Sequence, residues 1–202
     1  ANHAGIGAGR RLRRQHSRTR VSCGTRHQTD RQRNAEAYAM PPIMVDAGAL
    51  SLLPAHVPAQ VVITPHAGEL AALLNRLHHD DADSPLTPQD IQAEALRYAT
   101  MAHELTGATV LLKGAITMVV GTDEEKRSRV ILSGRAPAWL STAGAGDVLA
   151  GMLGALLAQQ GDLLVDEPAH LPEVAASAAY LHGLAAATAS ESEQRGWNRP
   201  GP

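Results

Sequence analysis

The sequence predicts an α/β domain in which helices cover both faces of a sheet. Short apolar runs rich in Val, Ile and Leu are typical of buried strands, and the segments between them carry apolar residues at helical spacing. Strands and helices alternate along the chain, which favours a sheet covered on both sides. The predicted strands are residues 43–46, 60–64, 109–112, 116–120 and 130–132. The predicted helices are residues 67–75, 88–105, 146–159 and 172–189.

The boundaries of the early elements follow from individual residues. The first strand ends in an acid, Asp46, and the second ends at Pro65, which cannot donate a ladder hydrogen bond. The helix over residues 67–75 places three leucines on one face. Thr87 and Pro88 provide an N-cap and a proline at the first helical position, so they predict the start of the second helix. Its expected buried stripe comprises Ile91, Ala95, Leu96, Ala99 and Ala102.

The amino-acid composition excludes several classes of function. The 202 residues are 44% hydrophobic, enough for one domain with a core of Ala, Leu and Val, since there is no Phe and there are only two Trp and three Tyr. Bases of single-stranded nucleic acid therefore have no aromatic platform to stack on. Cys23 is the only cysteine, which excludes an internal disulfide and a cysteine-type zinc site. With no signal peptide visible and no apolar run of membrane-spanning length, we expect a cytoplasmic protein without a membrane partner.

Charge divides the chain in two. Residues 1–40 carry nine Arg and two acids, a balance of +7, whereas the remainder has a balance of −9. The basic segment lacks lysine and any hydrophobic period, so we predict that residues 1–41 are irregular and lie outside the domain. A nucleic-acid-binding arm is the less favoured interpretation of this segment. Another interpretation is that the segment was translated from coding DNA in a shifted reading frame. The domain is expected over residues 42–190, with residues 191–202 as a C-terminal tail.

The most informative motif runs from residue 141 to residue 151. A turn of small residues leads into Gly146 and Asp147 and opens an apolar helix, whose free N–H groups would bind phosphate without a cationic side chain. A carboxylate beside phosphate suits a general base that takes the proton of an attacking hydroxyl. The motif therefore predicts phosphoryl transfer to an alcohol with Asp147 as the base. The alternative is a loop with Asp147 as an N-cap.

Three further groups lie at predicted strand ends, where open α/β sheets bind ligands. Residues 64–69 bring His66 and Glu69 into one strand-to-helix turn. There Glu69 could hold Mg²⁺ through water, and His66 could contact substrate. The alternative is a capped helix start with Glu69 facing solvent. Residues 113–117 place Lys113 at the end of an apolar strand, where it could contact phosphate. The alternative is that these residues form an ordinary hairpin turn. Asp46 is the third group. His78 and His79, beside three aspartates, are interpreted as a solvated loop and not as a metal site.

Taken in chain order, these motifs resemble those of the ADP/ATP-dependent NAD(P)H-hydrate dehydratases of the ribokinase-like superfamily. The motifs are Asp46-Ala47-Gly48-Ala49-Leu50, Thr64-Pro65-His66-Ala67-Gly68-Glu69, Lys113-Gly114-Ala115-Ile116-Thr117 and Thr142-Ala143-Gly144-Ala145-Gly146-Asp147-Val148-Leu149-Ala150-Gly151. The Gly-Ala-Gly-Asp turn fits the whole superfamily, whereas Thr-Pro-His-x-Gly-Glu joined to Lys-Gly-x-x-Thr is more specific. The chain departs from the family pattern at Gly48, where a second acid is common, and at Ala67, where proline is frequent.

The resemblance implies a ribokinase-like three-layer sandwich with a mostly parallel sheet, N-terminally incomplete because several early strands and a glycine-rich substrate loop have no counterpart here. Loss of those strands would expose a sheet edge and favour association into homo-oligomers. The implied activity is repair of NADHX and NADPHX: ADP or ATP, with Mg²⁺, phosphorylates the C6 hydroxyl, and phosphate is then eliminated. The other interpretations are a small-molecule kinase of the same superfamily and a catalytically inactive domain that binds nucleotide or nucleic acid.

The resemblance also implies roles for individual residues. His66 and Asp147 would contact the hydrated nicotinamide substrate, with Asp147 catalytic. The residues implied to contact the adenine nucleotide are Lys113, Gly114, Ala115, Ile116, Thr117, Gly144, Ala145 and Gly146.

Overall fold

Five strands form one mixed sheet in the computed structural model, which describes residues 40–77, 84–135, 137, 140 and 142–194. The strands are β1 (Ile43–Val45), β2 (Val61–Ile63), β3 (Thr109–Leu112), β4 (Ile116–Thr122) and β5 (Ser128–Arg135), and they lie in this order across the sheet. The helices are α1 (Ala67–Leu77), α2 (Pro88–Ala93), α3 (Ala95–Thr106), α4 (Ala145–Gln159), α5 (Gly161–Asp166) and α6 (Leu171–Gln194). Two 3₁₀ helices, Ala47–Leu52 and Pro168–His170, complete the described elements.

The sheet is parallel at one side and antiparallel at the other. β1 pairs with β2 and β2 with β3 in parallel, whereas β3–β4 and β4–β5 are antiparallel. The prediction of an α/β fold is confirmed, but that of a mostly parallel sheet holds only for the first three strands. The connection from β3 to β4 is three residues long, and a parallel pairing would need a crossover of a dozen residues or more.

Alternate strand residues contribute to two separate cores, one on each face of the sheet. Val61, Ile63 and Val110 pack with the helices α1 to α3, whereas Val62 and Leu111 pack with α4 to α6. On the second face, Leu149, Leu153 and Leu157 recur at four-residue spacing along α4. The result is the predicted arrangement of three layers, helices–sheet–helices.

Helix boundaries agree with the sequence where capping residues mark them. The side chain of Thr87 caps α2, with Asp90 completing a capping box and Pro88 in the first turn. The predicted single helix over residues 88–105 is interrupted at Glu94, whose φ and ψ of −126° and 48° are not helical. No glycine or proline marks this break in the sequence. The short helix α5 was not predicted, because six residues hold too little of a helical period.

A close approach between α6 and the sheet depends on Gly121 in β4. A Cβ at this position would overlap the ring of Pro172 and lie 3.2 Å from Thr109 Oγ1. We expect Gly121→Ala to lower the free energy of unfolding by about 1–3 kcal/mol through overpacking, measured by urea denaturation. Gly154→Ala in α4 is the control, since its Cβ would meet no atom within 4 Å. A Gly121→Ala protein as stable as the control would contradict this packing.

Several sequence predictions lie outside the described residues. These are residues 1–39, with Cys23, of the predicted irregular segment 1–41, the loop containing His78 and His79, and residues 195–202 of the predicted tail 191–202. Helix α6 extends to Gln194, four residues into that predicted tail. Among the helices that the structure does describe, none combines the length and the hydropathy of a membrane span.

Candidate active site

The carboxyl ends of the three parallel strands meet at one edge of the sheet. Asp46 follows β1, His66 follows β2 by three residues, and Lys113 follows β3. His66 and Lys113 form an isolated parallel bridge, and the Lys113 N–H donates to the Pro65 carbonyl at 2.8 Å. Strand pairing thus continues for one residue past the end of β3 and brings the three predicted ligand-binding segments together.

Lys113 is the centre of this edge. Its Nζ lies 2.8 Å from Asp46 Oδ1 and 3.6 Å from Glu69 Oε2. The side chains of Lys113, Asp46 and Glu69 are only 21%, 14% and 21% exposed, so their interactions are poorly screened by solvent. The ammonium is held in place before any ligand binds, and an incoming phosphate would compete with two carboxylates for it.

The Asp46 carboxyl is adapted to this pairing. Burial acts to raise its pKa, but the hydrogen bond from Lys113, the nearby Thr64 hydroxyl, the charge of Lys113 and the Ala47 N–H together lower the pKa below its ordinary value. The buried Thr64 Oγ1 makes no hydrogen bond of good geometry among the described residues, although it lies near enough to affect the carboxyl. Asp46 therefore stays ionised in the folded protein.

This pairing predicts a pH-dependent contribution to stability. Because the folded-state pKa is lowered, the stabilisation is present above the unfolded pKa of about 3.9 and is lost as pH falls through the folded pKa. Asp46→Asn keeps an acceptor for Lys113 but removes the charge, and should cost about 1 kcal/mol at pH 7. Urea denaturation at pH 7 and near pH 3 should show the difference between the two proteins shrinking in acid. An unchanged difference would mean that the ion pair contributes nothing.

His66 and Glu69 form a reciprocal cap at the start of α1. The His66 Nδ1 accepts hydrogen bonds from the N–H groups of Gly68 at 3.0 Å and Glu69 at 3.2 Å, while Glu69 Oε2 accepts from the His66 N–H at 2.8 Å. The alternative interpretation of this motif, a capped helix start, is therefore confirmed. It does not leave Glu69 facing solvent, because the same carboxylate reaches Lys113.

The start of α4 lies beside the same lysine. Gly144 has a φ of +88°, a left-handed conformation that suits glycine, and the helix begins at Ala145. A Cβ at Gly146 would lie 3.7 Å from Lys113 Nζ. Asp147 lies exposed in the first turn. Gly144 occupies the N-cap position, so the interpretation of Asp147 as an N-cap is wrong.

A cavity of about 910 Å³ opens next to these groups. It brings together His66 and four of the predicted nucleotide-contacting residues, Lys113 to Ile116. The other predicted nucleotide-contacting residues, Thr117, Gly144, Ala145 and Gly146, and the predicted base Asp147 are not among its lining residues. Its remaining wall is mostly apolar. That wall comprises Ala67, Gly68, Pro88, Ile91, Gln92, Ala95, Leu112, Met118 and Leu132.

Sequence reasoning did not assign a role to Asp46 or to the helical wall of the cavity. The signal for Asp46 was present, an acid directly after a buried strand, but its partner Lys113 lies 67 residues away. Ile91 and Ala95 were predicted as core residues, and they also line the cavity.

The site suits an Mg²⁺ ion that takes most of its ligands from waters and from the phosphates of a bound nucleotide. Within the described ranges, no group of three His, Cys, Asp or Glu side chains could hold a metal ion. Asp46 and Glu69 offer two carboxylates, and Mg²⁺ commonly binds through one or two carboxylates together with waters and substrate phosphates. These residues fit a magnesium–nucleotide complex and not a permanently bound ion.

The fold and this edge define a three-layer α/β domain whose candidate site joins a lysine, two carboxylates and the start of a helix. A family model described as NAD(P)H-hydrate dehydratase matches residues 26–200, so the chain belongs to the NAD(P)H-hydrate dehydratase family. It is 33% identical over 159 residues to the ADP-dependent (S)-NAD(P)H-hydrate dehydratase of Neisseria meningitidis, covering 75% of this chain and 46% of the relative. It is 40% identical over 123 residues to the bifunctional NAD(P)H-hydrate repair enzyme Nnr of Mycobacterium tuberculosis, covering 58% and 22%.

Solved structures agree on the fold. The Bacillus subtilis protein YxkO, of the UPF0031 family, matches with a TM-score of 0.52 and 25% identity over 74% of this chain and 48% of that chain. The ADP/ATP-dependent NAD(P)H-hydrate dehydratase of B. subtilis, co-crystallised with ATP and Mg²⁺, matches with a TM-score of 0.53 and 24% identity, covering 80% and 49%. The chain thus spans about half the length, or less, of the relatives that it matches.

Proposed function

We propose that this domain acts in the nucleotide-dependent dehydration of (6S)-NADHX and NADPHX to NADH and NADPH. The observation that carries the proposal is that two features expected to bind phosphate, from distant parts of the chain, lie close together. The Lys113 ammonium lies at the carboxyl edge of the sheet, and a Cβ at Gly146, in the first turn of α4, would lie 3.7 Å from it. The names of the relatives supply the substrate, which the geometry alone does not specify.

The proposed reaction has two steps. The C6 hydroxyl of the substrate attacks the terminal phosphoryl group of ADP or ATP, and Asp147 takes its proton. The C6–O bond then breaks, inorganic phosphate leaves with the bonding electrons, and loss of a proton restores the dihydronicotinamide. Glu69 or Asp46 would hold Mg²⁺, which would supply neutralisation of the phosphate charge.

Each residue of the site has a task in this scheme. Lys113 and the N–H groups of Gly146 and its neighbours would bind the phosphates, since the first N–H groups of a helix have no acceptor within it. His66 would contact the nicotinamide part of the substrate. The residues from Gly114 to Thr117 would contact the adenine nucleotide. A cytoplasmic location and self-association into homo-oligomers remain predictions.

The test supplies NADHX, Mg²⁺ and either ADP or ATP to the full chain and follows the return of NADH absorbance. We expect absorbance to recover only when nucleotide is present, and the faster nucleotide identifies the phosphoryl donor. Consumption of nucleotide with a stable phosphorylated alcohol as product would favour a small-molecule kinase. No turnover by a folded chain that binds nucleotide would contradict the proposal.

A further inference from the structure

The hydrogen bonds around His66 determine where its ring proton lies. The backbone N–H groups of Gly68 and Glu69 can only donate, and both point to Nδ1, at 3.0 Å and 3.2 Å. Nδ1 must therefore be the unprotonated, accepting nitrogen. In a neutral imidazole the proton then belongs to Nε2.

Glu69 supports the same assignment from the other side of the ring. Its Oε1 lies 3.5 Å from His66 Nε2, and an ionised carboxylate can only accept a hydrogen bond. Its other oxygen, Oε2, accepts from the His66 N–H at 2.8 Å, so the carboxylate is fixed where it faces Nε2. At 3.5 Å the carboxylate makes no close hydrogen bond with Nε2, so it is compatible with a proton there and leaves that N–H able to donate to a ligand. The assignment of the proton itself depends on the two N–H groups at Nδ1.

The local backbone allows this arrangement because residue 68 is glycine. A Cβ at Gly68 would lie 3.0 Å from His66 Cε1 and 3.3 Å from Nδ1, so a larger residue would push the ring off the helix start. The imidazole is nevertheless 59% exposed and lines the cavity beside Lys113. The ring is therefore held at Nδ1 by the start of α1, and Nε2 is left accessible to a ligand.

We propose that the first turn of α1 fixes His66 as its Nε2–H tautomer, so that His66 donates a hydrogen bond to an acceptor oxygen of the bound substrate. His66 is then a binding and positioning residue and not the base that removes a proton, a task left to Asp147. The identity of the substrate rests on the proposed function, whereas the tautomer rests only on the contacts of His66.

The tautomer is tested by nitrogen-15 NMR of the full chain labelled at histidine, at a pH where the ring is neutral. The His66 signal is identified by its loss in His66→Asn. We expect a protonated Nε2 and a bare Nδ1. A ring protonated at Nδ1, or a mixture of the two tautomers, would overturn the proposal.

Two variants distinguish the role of His66 Nδ1 in capping α1 from the role of Nε2–H as a hydrogen-bond donor to the substrate. His66→Asn places an oxygen near the position of Nδ1, and Asn is a favoured N-cap, but it lacks a donor at Nε2. We expect an unchanged melting temperature and a KM for NADHX raised about tenfold. His66→Gln can place its amide nitrogen near Nε2 but loses the cap, so we expect a melting temperature lowered by about 2–4 °C and a smaller rise in KM.

His170→Asn, a partly exposed histidine after α5, is the control and should change neither quantity. A His66→Asn protein that binds NADHX as the unaltered chain does would refute the donor role. If the unaltered chain does not turn over NADHX at all, the proposed function fails, while the NMR and melting results still decide whether the helix holds the ring.

Discussion

Replacing Asp147 by Asn should lower the rate of NADHX dehydration by a factor of roughly 10²–10⁴, the usual contribution of a general base. Asn retains the shape and the hydrogen-bonding capacity of the side chain but cannot take a proton from the C6 hydroxyl. Asp147 lies exposed in the first turn of α4, so its substitution leaves the buried face of the helix intact. Nucleotide affinity should change little.

The measurement is single-turnover NADHX dehydration together with calorimetric titration of nucleotide. Asp162→Asn is a matched control, since Asp162 is also an exposed aspartate in the first turn of a helix, α5. The control should retain full activity. Near-normal turnover in Asp147→Asn would show that this carboxylate is not the base.

Gly146→Val should weaken nucleotide binding by at least about tenfold. The N–H groups at the start of α4 can reach a phosphate only if no side chain stands in front of them. A Cβ at Gly146 already lies within 3.7 Å of Lys113 Nζ, so the two further methyl groups of valine would crowd the lysine as well. Both proposed phosphate contacts are therefore affected by one substitution.

Calorimetric titration with ADP and ATP, in the presence of Mg²⁺, measures the loss. Gly151→Val is the matched control, because it makes the same change in the same helix at a position with no atom within 4 Å of the added Cβ. It should bind nucleotide normally despite a similar cost in helix propensity. Unchanged affinity in a folded Gly146→Val protein would mean that the glycine turn is structural only.

Lys113→Ala provides a second measure of the same site. The sequence contains only two lysines, 113 and 126, and the exposed Lys126 in the turn before β5 is a natural control. We expect Lys113→Ala, and not Lys126→Ala, to weaken nucleotide binding, by an amount typical of a hydrogen bond to a charged group, about 1.5–3 kcal/mol. Lys113→Ala should also cost some stability, because Asp46 loses its partner.

The sequence alone was sufficient for the fold class and for the positions of the ligand-binding segments. Apolar runs, helical spacing and capping residues are local signals, and they placed the first four strands and the helix starts at Ala67, Pro88 and Ala145 within a residue or two. For β5 they found only the central residues 130–132 of Ser128–Arg135. The cap at His66 and Glu69 is local too, since both residues lie in one turn. Its alternative interpretations could be weighed from the motif itself.

Only the tertiary structure determined which of these segments meet. The pairing of Asp46 with Lys113 joins residues 67 positions apart and depends on the order and register of β1, β2 and β3. No local pattern encodes that order, whereas the three-residue connection that makes β4 antiparallel to β3 is visible in the sequence. The tautomer of His66 likewise follows from distances that a motif cannot supply. The site residues could be identified from local sequence motifs, whereas the contacts between them depend on the long-range packing of the sheet.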